Sequence, residues 1–183
     1  VVEKGLTVQG KSLQEHLEAA NHAEAFEFVQ SLIHKNIHQI DQDVILDIHR
    51  MILQKIDDAN AGRYRAVSVR IVGSLVILPN PRKVPTLMEN FVHWLSQTKD
   101  HPVAIVAEAH FRLVSIHPFT DGNGRTARLL MNLILMRYGY PPAIIRKEER
   151  LAYLKSLEQG QLHGDLTDYN ELVAKAVDRS LDI

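Results

Sequence analysis

Apolar residues recur at intervals of three and four along most of this chain, and that spacing limits its folds more than any other feature. Val44, Ile45, Ile48, Met51 and Ile52 form one such stripe, and Leu87, Met88, Phe91, Val92 and Leu95 a second. Val103, Val106, Ala107, His110, Phe111 and Val114 form a third. A period of 3.6 residues places each set on one face of an α-helix. Further helices are expected from Ser12 to about His34, from Gly124 to Tyr138, from Lys147 to Leu157 and from Thr167 to Leu181. Ser12 and Glu15 have the spacing of a capping box, Pro85 and Pro102 can each open a helix, and Thr167 suits an N-cap. One stretch departs from the pattern. Val67, Val69 and Ile71 alternate, Gly73-Ser74 suits a two-residue turn, and Val76 to Leu78 returns. Residues 65–79 therefore read as a β-hairpin. The expected fold is all-α, one domain over 1–183, with that hairpin as a flap.

The helical reading disposes of a tempting motif. GLTVQGKS, residues 5–12, matches the phosphate-binding loop G-x-x-x-x-G-K-[ST] in full. Such a loop works when a buried parallel strand delivers it to a helix N-terminus. Only Val1, Val2, Glu3 and Lys4 precede it, and no alternation of strands and helices follows. The segment reads as an entry loop before a Ser N-cap, and Lys11 is expected to leave nucleotide affinity unchanged.

Composition narrows the function classes. With 183 residues, 45% hydrophobic and 23% charged, the chain can bury one sizeable core. A net charge of −1 gives no electrostatic case for nucleic acid or an anionic membrane. No apolar run approaches the roughly 18 residues that span a bilayer. Cysteine is absent, so disulfides and thiolate sites are excluded. A cytoplasmic protein is the expectation, with the first residue, Val1, suggesting a trimmed chain. Ten histidines raise a second class, a helical metal hydrolase, with His34 and His38 as an i, i+4 ligand pair. No His-Asp doublet or H-E-x-x-H supports it. A third class is a module that holds nucleotide without turning it over.

HPFTDGNGRTAR, residues 117–128, carries the chemistry. Gly122, Asn123 and Gly124 can turn backbone N–H groups inward as an anion nest, and the helix that begins there adds its positive end. Arg125 and Arg128 are three residues apart, so both guanidiniums share a helix face above the nest. Asp121 supplies a hard carboxylate where Mg²⁺ can bridge phosphates. His117 has an unperturbed pKa near neutrality, as a general base requires. Pro118 and Phe119 read as a rigid turn and an apolar plug.

These twelve residues resemble the signature of the Fic (filamentation induced by cAMP) family, HPFx[D/E]GNGRxxR, at every position. Gly62-Arg63-Tyr64-Arg65, the hairpin and Val84-Pro85 resemble the family's flap region. Tyr140-Pro141-Pro142 and Arg179 to Asp182 resemble its C-terminal helices. The resemblance implies a protein adenylyltransferase that moves AMP from ATP to a side-chain hydroxyl of a Ser, Thr or Tyr and releases pyrophosphate. His117 would then be the base, Asp121 the Mg²⁺ ligand, and Gly122 to Gly124 the phosphate cradle. Arg125 would bind the outgoing pyrophosphate and Arg128 the γ-phosphate. Tyr153 and Gln161 would contact the adenine. The hairpin edge would bind an extended target segment. Doc-type relatives, which transfer phosphate, carry Lys or Arg at the position of Gly124. Some members instead remove AMP from the target, and the direction stays open here. Many members also carry an inhibitory helix with the pattern [ST]-x-x-x-E-[GN], whose Glu pairs with the second arginine. The nearest match is Thr167 with Glu171, followed by Leu172. That helix is expected upstream of Val1, so this chain is expected to be unrestrained and to label itself.

Overall fold

Helical periodicity carries through to the backbone. A computed structural model describes residues 12–34 and 39–182. GLTVQGK ahead of Ser12, and His38 of the histidine pair, lie outside the described residues. Seven α-helices are described: α1 (Leu13–His34), α2 (Gln42–Leu53), α3 (Val84–Gln97), α4 (Pro102–Ile116), α5 (Asn123–Arg137), α6 (Arg150–His163) and α7 (Thr167–Leu181). Single 3₁₀ turns, Pro81–Lys83 and Lys147–Glu149, lead into α3 and α6. None of these helices is long and apolar enough to cross a membrane.

Helix α5 is the axis of the packing. Ten of its fifteen residues are buried, from Asn123 at its start to Leu135. A helix buried on all sides needs partners all round, and α1, α2 and α4 supply them. Helices α3 and α7 pack on α4, and α6 packs on α7. The core joins Ile45, Ile48 and Ile52 of α2 with Leu113 of α4 and Leu129 and Leu130 of α5. The loop between α4 and α5 is thus gripped at both ends by the two most buried helices.

Helix ends mostly follow their sequence signals. The Ser12 N–H donates to Glu15 Oε2 (2.7 Å), and Glu15 N–H to Ser12 Oγ (3.1 Å), a complete capping box. Asp41 caps α2 by accepting from Val44 N–H. At α7 the expectation fails by one residue, the N-cap being Leu166. Thr167 is already helical, and Asp165 of the preceding loop accepts its N–H at 3.0 Å. Helix α6 runs past Leu157 to His163, ended by Gly164 at φ 75°.

The expected β-hairpin does not form. Residues 65–79 make two irregular arms, one with a bend at Ala66-Val67, joined by a turn from Ile71 to Ser74 (Ser74 N to Ile71 O, 3.2 Å), and no strand. Gly73, at φ 78°, is the third residue of that turn, not the first of a two-residue loop. The physical reason is Arg65. Its buried guanidinium donates to the carbonyls of Val67 (3.1 Å), Pro79 (2.7 Å) and His117 (2.7 Å). One side chain spans the arms where a ladder would need main-chain pairs. The tip is tied separately: Glu158 of α6 accepts from Ser74 Oγ (2.6 Å) and Leu75 N–H (3.1 Å). Val72 is fully exposed and Ile77 94% exposed, so the flap turns apolar side chains to solvent.

Candidate active site

His117 ends α4 in the left-handed conformation, φ 52° and ψ 59°. A non-glycine residue adopts that region at a cost, and only where its surroundings hold it. Two contacts hold this one: its N–H donates to Leu113 O (2.9 Å), and its carbonyl accepts from Arg65 Nε. Nδ1 lies 3.2 Å from Val114 O. A carbonyl can only accept, so Nδ1 carries the proton and Nε2 carries the lone pair. Burial pushes the imidazole pKa below its ordinary value, and the Arg65 charge adds to that. The ring is therefore neutral at neutral pH.

The next residues lock the loop from inside. Phe119 is fully buried and stacks on His49 of α2, with ring centroids 3.6 Å apart and planes 4° from parallel. Asn123 accepts from Phe119 N–H and donates to Phe119 O, both at 2.9 Å, closing the loop on itself. His49 Nδ1 accepts from Gly62 N–H (3.0 Å), so its Nε2–H donates to Asp121 O (3.0 Å). Burial lowers the His49 pKa to about 4. Gly122 sits at φ 77°, and a Cβ there would also press on His49 at 3.3 Å, so glycine is needed twice over. A Cβ on Gly124 would meet Arg128 Nη1 at 3.3 Å.

Charge gathers at the mouth of α5. Arg125 Nη2 donates to Asp121 Oδ2 (2.9 Å), and Arg125 Nη1 is 3.8 Å from Glu18 of α1. Arg125 Nη1 and Thr120 Oγ1 are buried without a hydrogen-bond partner among the described residues. Buried donors of this kind are costly unless a ligand uses them. Both belong to the wall of one cleft of about 900 Å³ that also holds His117, Asp121, Gly122 to Gly124 and Arg128. The flap tip at Gly73 and Ser74 forms another wall.

The structure brings Tyr153 and Gln161 to the same cleft. Tyr153 is buried, with its hydroxyl on His110, whereas Leu154 beside it is exposed to the cleft. Gln161 donates to Ser115 Oγ at 3.2 Å. His34 is exposed at the end of α1. Sequence reading gave no individual role to Glu18, His49, Arg65, Thr120 or Glu158. Of these only His49 had a signal: it lies within the apolar stripe between Ile45 and Ile52, where a polar ring needs a buried partner.

Comparison with known proteins points the same way. The Fic/DOC family model matches residues 39–135. A protein adenylyltransferase Fic of Nematostella vectensis is 42% identical over all of this chain, which covers 43% of that protein. Fic-1 (residues 134–508) of C. elegans superposes with a TM-score of 0.86 at 38% identity, over 98% of this chain and 55% of that one. A Fic-domain signalling protein of Bacteroides thetaiotaomicron gives 0.83 at 30% identity, over 98% of this chain and 74% of that one. The chain therefore spans less than half the length of the Nematostella relative. The helix-gripped loop, its twelve-residue motif and the whole-length likeness agree: the chain belongs to the Fic/DOC family.

Proposed function

We propose that this domain transfers AMP from ATP to a side-chain hydroxyl of a protein. The observation that carries the proposal is the His117 geometry: a neutral imidazole, its Nδ1 proton committed to Val114 O, on a residue that lines one cleft with Arg125 and Arg128. The target oxygen attacks the α-phosphorus, and its proton passes to Nε2. The bond from the α-phosphorus to the bridging oxygen breaks, and pyrophosphate leaves with the electron pair. N–H groups at the start of α5 face the charge that builds on the phosphoryl oxygens. Arg125 Nη1 supplies an unspent donor for the departing phosphates, and Arg128 the charge for the outermost one.

Asp121 fits a shared Mg²⁺. Its carboxylate is 63% exposed in the cleft wall, and this ion commonly takes one or two carboxylates together with substrate phosphates. When bound, the ion would neutralise phosphate charge. Asp121 would then have to exchange its Arg125 partner for it, which frees that arginine for the nucleotide.

Gly124 supports nucleotidyl over phosphoryl transfer, because a glycine leaves the backbone free to approach phosphates where Doc-type relatives carry Lys or Arg. Removal of AMP from a target uses the same groups, with a water as the attacking oxygen. Adenine is proposed to lie against Tyr153 and Gln161, and the target along the flap, where exposed Val72, Leu75 and Ile77 invite an apolar segment. Self-labelling is proposed for the free domain. The test uses ATP labelled at either end. Label from the α-phosphate should become protein-bound and label from the γ-phosphate should not; the reverse pattern would make the domain a kinase.

A further inference from the structure

Basic side chains crowd the cleft beyond the signature loop. Arg146 and Lys147 line it from the turn before α6, Arg150 and Lys155 from α6 itself, and Arg70 from the flap. On α6 the lining residues include Arg150, Leu151, Leu154, Lys155 and Glu158, spaced by three and four along one helix face. The five cations are all exposed, and none forms an ion pair among the described residues. Two carboxylates share the lining, and both are committed. Asp121 holds Arg125, and Glu158 accepts from Ser74 Oγ and Leu75 N–H at the flap tip. Of the acids beside Lys147, Glu149 is taken by both Nη atoms of Arg179 (2.6 and 2.8 Å), and Glu148 is outside the lining.

Composition does not force this concentration. The chain carries 21 Lys and Arg against 22 Asp and Glu, so its charge is nearly balanced overall. Like charges left unpaired repel one another, and a cleft lined by one sign of charge concentrates ligands of the other. ATP already has Arg125, Arg128 and the start of α5 for its phosphates. The second substrate is left to use the strip. From Lys147 to Lys155 the strip runs about 12 Å, the reach of roughly three to four residues of extended chain. Glu158 pins the flap tip to the same helix face, so a segment laid along the flap meets these cations.

We infer that the strip selects the protein target: an extended segment with Asp or Glu close to the hydroxyl that accepts the adenylate. This rests on the transfer reaction and the flap-side target proposed above. Charge complementarity of this kind sets encounter and specificity and leaves the chemical step alone. The strip should therefore act on target affinity, with His117 and the loop keeping the rate.

Three synthetic peptides of equal length test this on the whole chain, each with one Thr flanked by Glu, by Gln or by Lys. Their affinities are read by fluorescence anisotropy with ATP and Mg²⁺ omitted. The Glu peptide should bind about tenfold more tightly than the Gln peptide, the combined effect of a few exposed charge pairs, and the Lys peptide most weakly. The gap should narrow as salt is raised. In Lys147→Gln/Arg150→Gln/Lys155→Gln the three affinities should converge, while ATP affinity by calorimetry and the melting temperature hold. Arg150→Glu alone should move the preference towards the Lys peptide, and it serves if the triple variant does not fold. Equal affinities in the parent would overturn the inference, and so would variants that keep the parent's preference. A loss of ATP affinity in the variants would assign the strip to the nucleotide, and tighter binding of single-stranded RNA than of the Glu peptide would assign it to nucleic acid; either overturns it. A preference for the Glu peptide with no adenylate formed on peptide or chain, once ATP and Mg²⁺ are added, would instead defeat the transfer reaction, and the role of the strip with it.

Discussion

The loop over 117–128 and the flap over 65–79 are both irregular segments at one cleft, but they are held in opposite ways. The loop is fixed by its own residues and its immediate neighbours: Asn123 returns to Phe119, Thr126 Oγ1 to Gly122 O, and Phe119 stacks on His49. The flap has internal bonds of its own, from Arg65 to Val67 and Pro79 and from Val76 N–H to Ser74 Oγ, but no core residue plugs it to the interior as Phe119 plugs the loop. Arg65 ties its arms together and to His117, and Glu158 ties its tip to α6, across 84 residues of sequence. A segment that carries its own constraints can be preorganised for chemistry, whereas one suspended at two points can yield to a partner. Under the proposed function, the loop would set the rate and the flap what is presented to it.

The largest effect expected from the loop is on turnover. His117→Ala should cut AMP transfer by about 10²–10⁴-fold, the usual contribution of a general base, with nucleotide binding retained. Single-turnover assays beside calorimetry separate the two quantities, and full transfer by the variant would break the assignment. The next effect is on stability. Asn123→Ala leaves the Phe119 N–H and carbonyl unpaired in the core and should cost about 2–4 kcal/mol in denaturant unfolding. Arg65→Met strips three carbonyls of their donor and should cost less, about 1–3 kcal/mol, because the flap ends can reach water. A larger loss from Arg65 than from Asn123 would invert the comparison.

Acid should loosen the loop first. The His49 pKa falls to about 4 and that of His110 to about 3, both mainly through burial, against an ordinary value near 6.5. Between pH 6.5 and 4 the unfolded chain binds protons that the folded one refuses. Stability is then complete above about 6.5 and falls as pH drops, by up to about 1.4 kcal/mol per pH unit for each histidine. His49→Gln should flatten that slope in urea titrations; an unchanged slope would remove His49 as a cause. The smallest effect belongs to Glu158→Gln. Amide exchange at Leu75 should quicken while the melting temperature and the rate of ATP turnover hold; slower turnover would place the tip of the flap within the chemistry.

What the sequence revealed divides along the same line. Helices with one clear apolar stripe, such as α2 and α4, were legible because burial follows the 3.6-residue period. The signature loop was legible because its constraints lie within twelve residues. The flap was misread because alternation of Val67, Val69 and Ile71 records side-chain spacing and says nothing of main-chain partners. Arg65 preempted those partners, and no local signal announces that an arginine will reach carbonyls at Val67, Pro79 and His117 at once. The Thr167 cap failed because the helix starts one residue early: Leu166 is the N-cap, Thr167 is already helical, and its N–H goes to Asp165. His110 could be placed inward by periodicity, yet its partners on α6 and α7 are 43 and 59 residues distant.

The central claim is that a neutral His117, aimed by the loop, drives transfer of an adenylate to a hydroxyl. Intact-protein mass spectrometry after incubation with ATP and Mg²⁺ tests it most directly, run on the domain alone and on the domain with candidate targets. The account predicts a product heavier by one AMP residue, located on a Ser, Thr or Tyr and absent with His117→Ala. A product heavier by a phosphate alone, or an adenylate that still appears with His117→Ala, would contradict it.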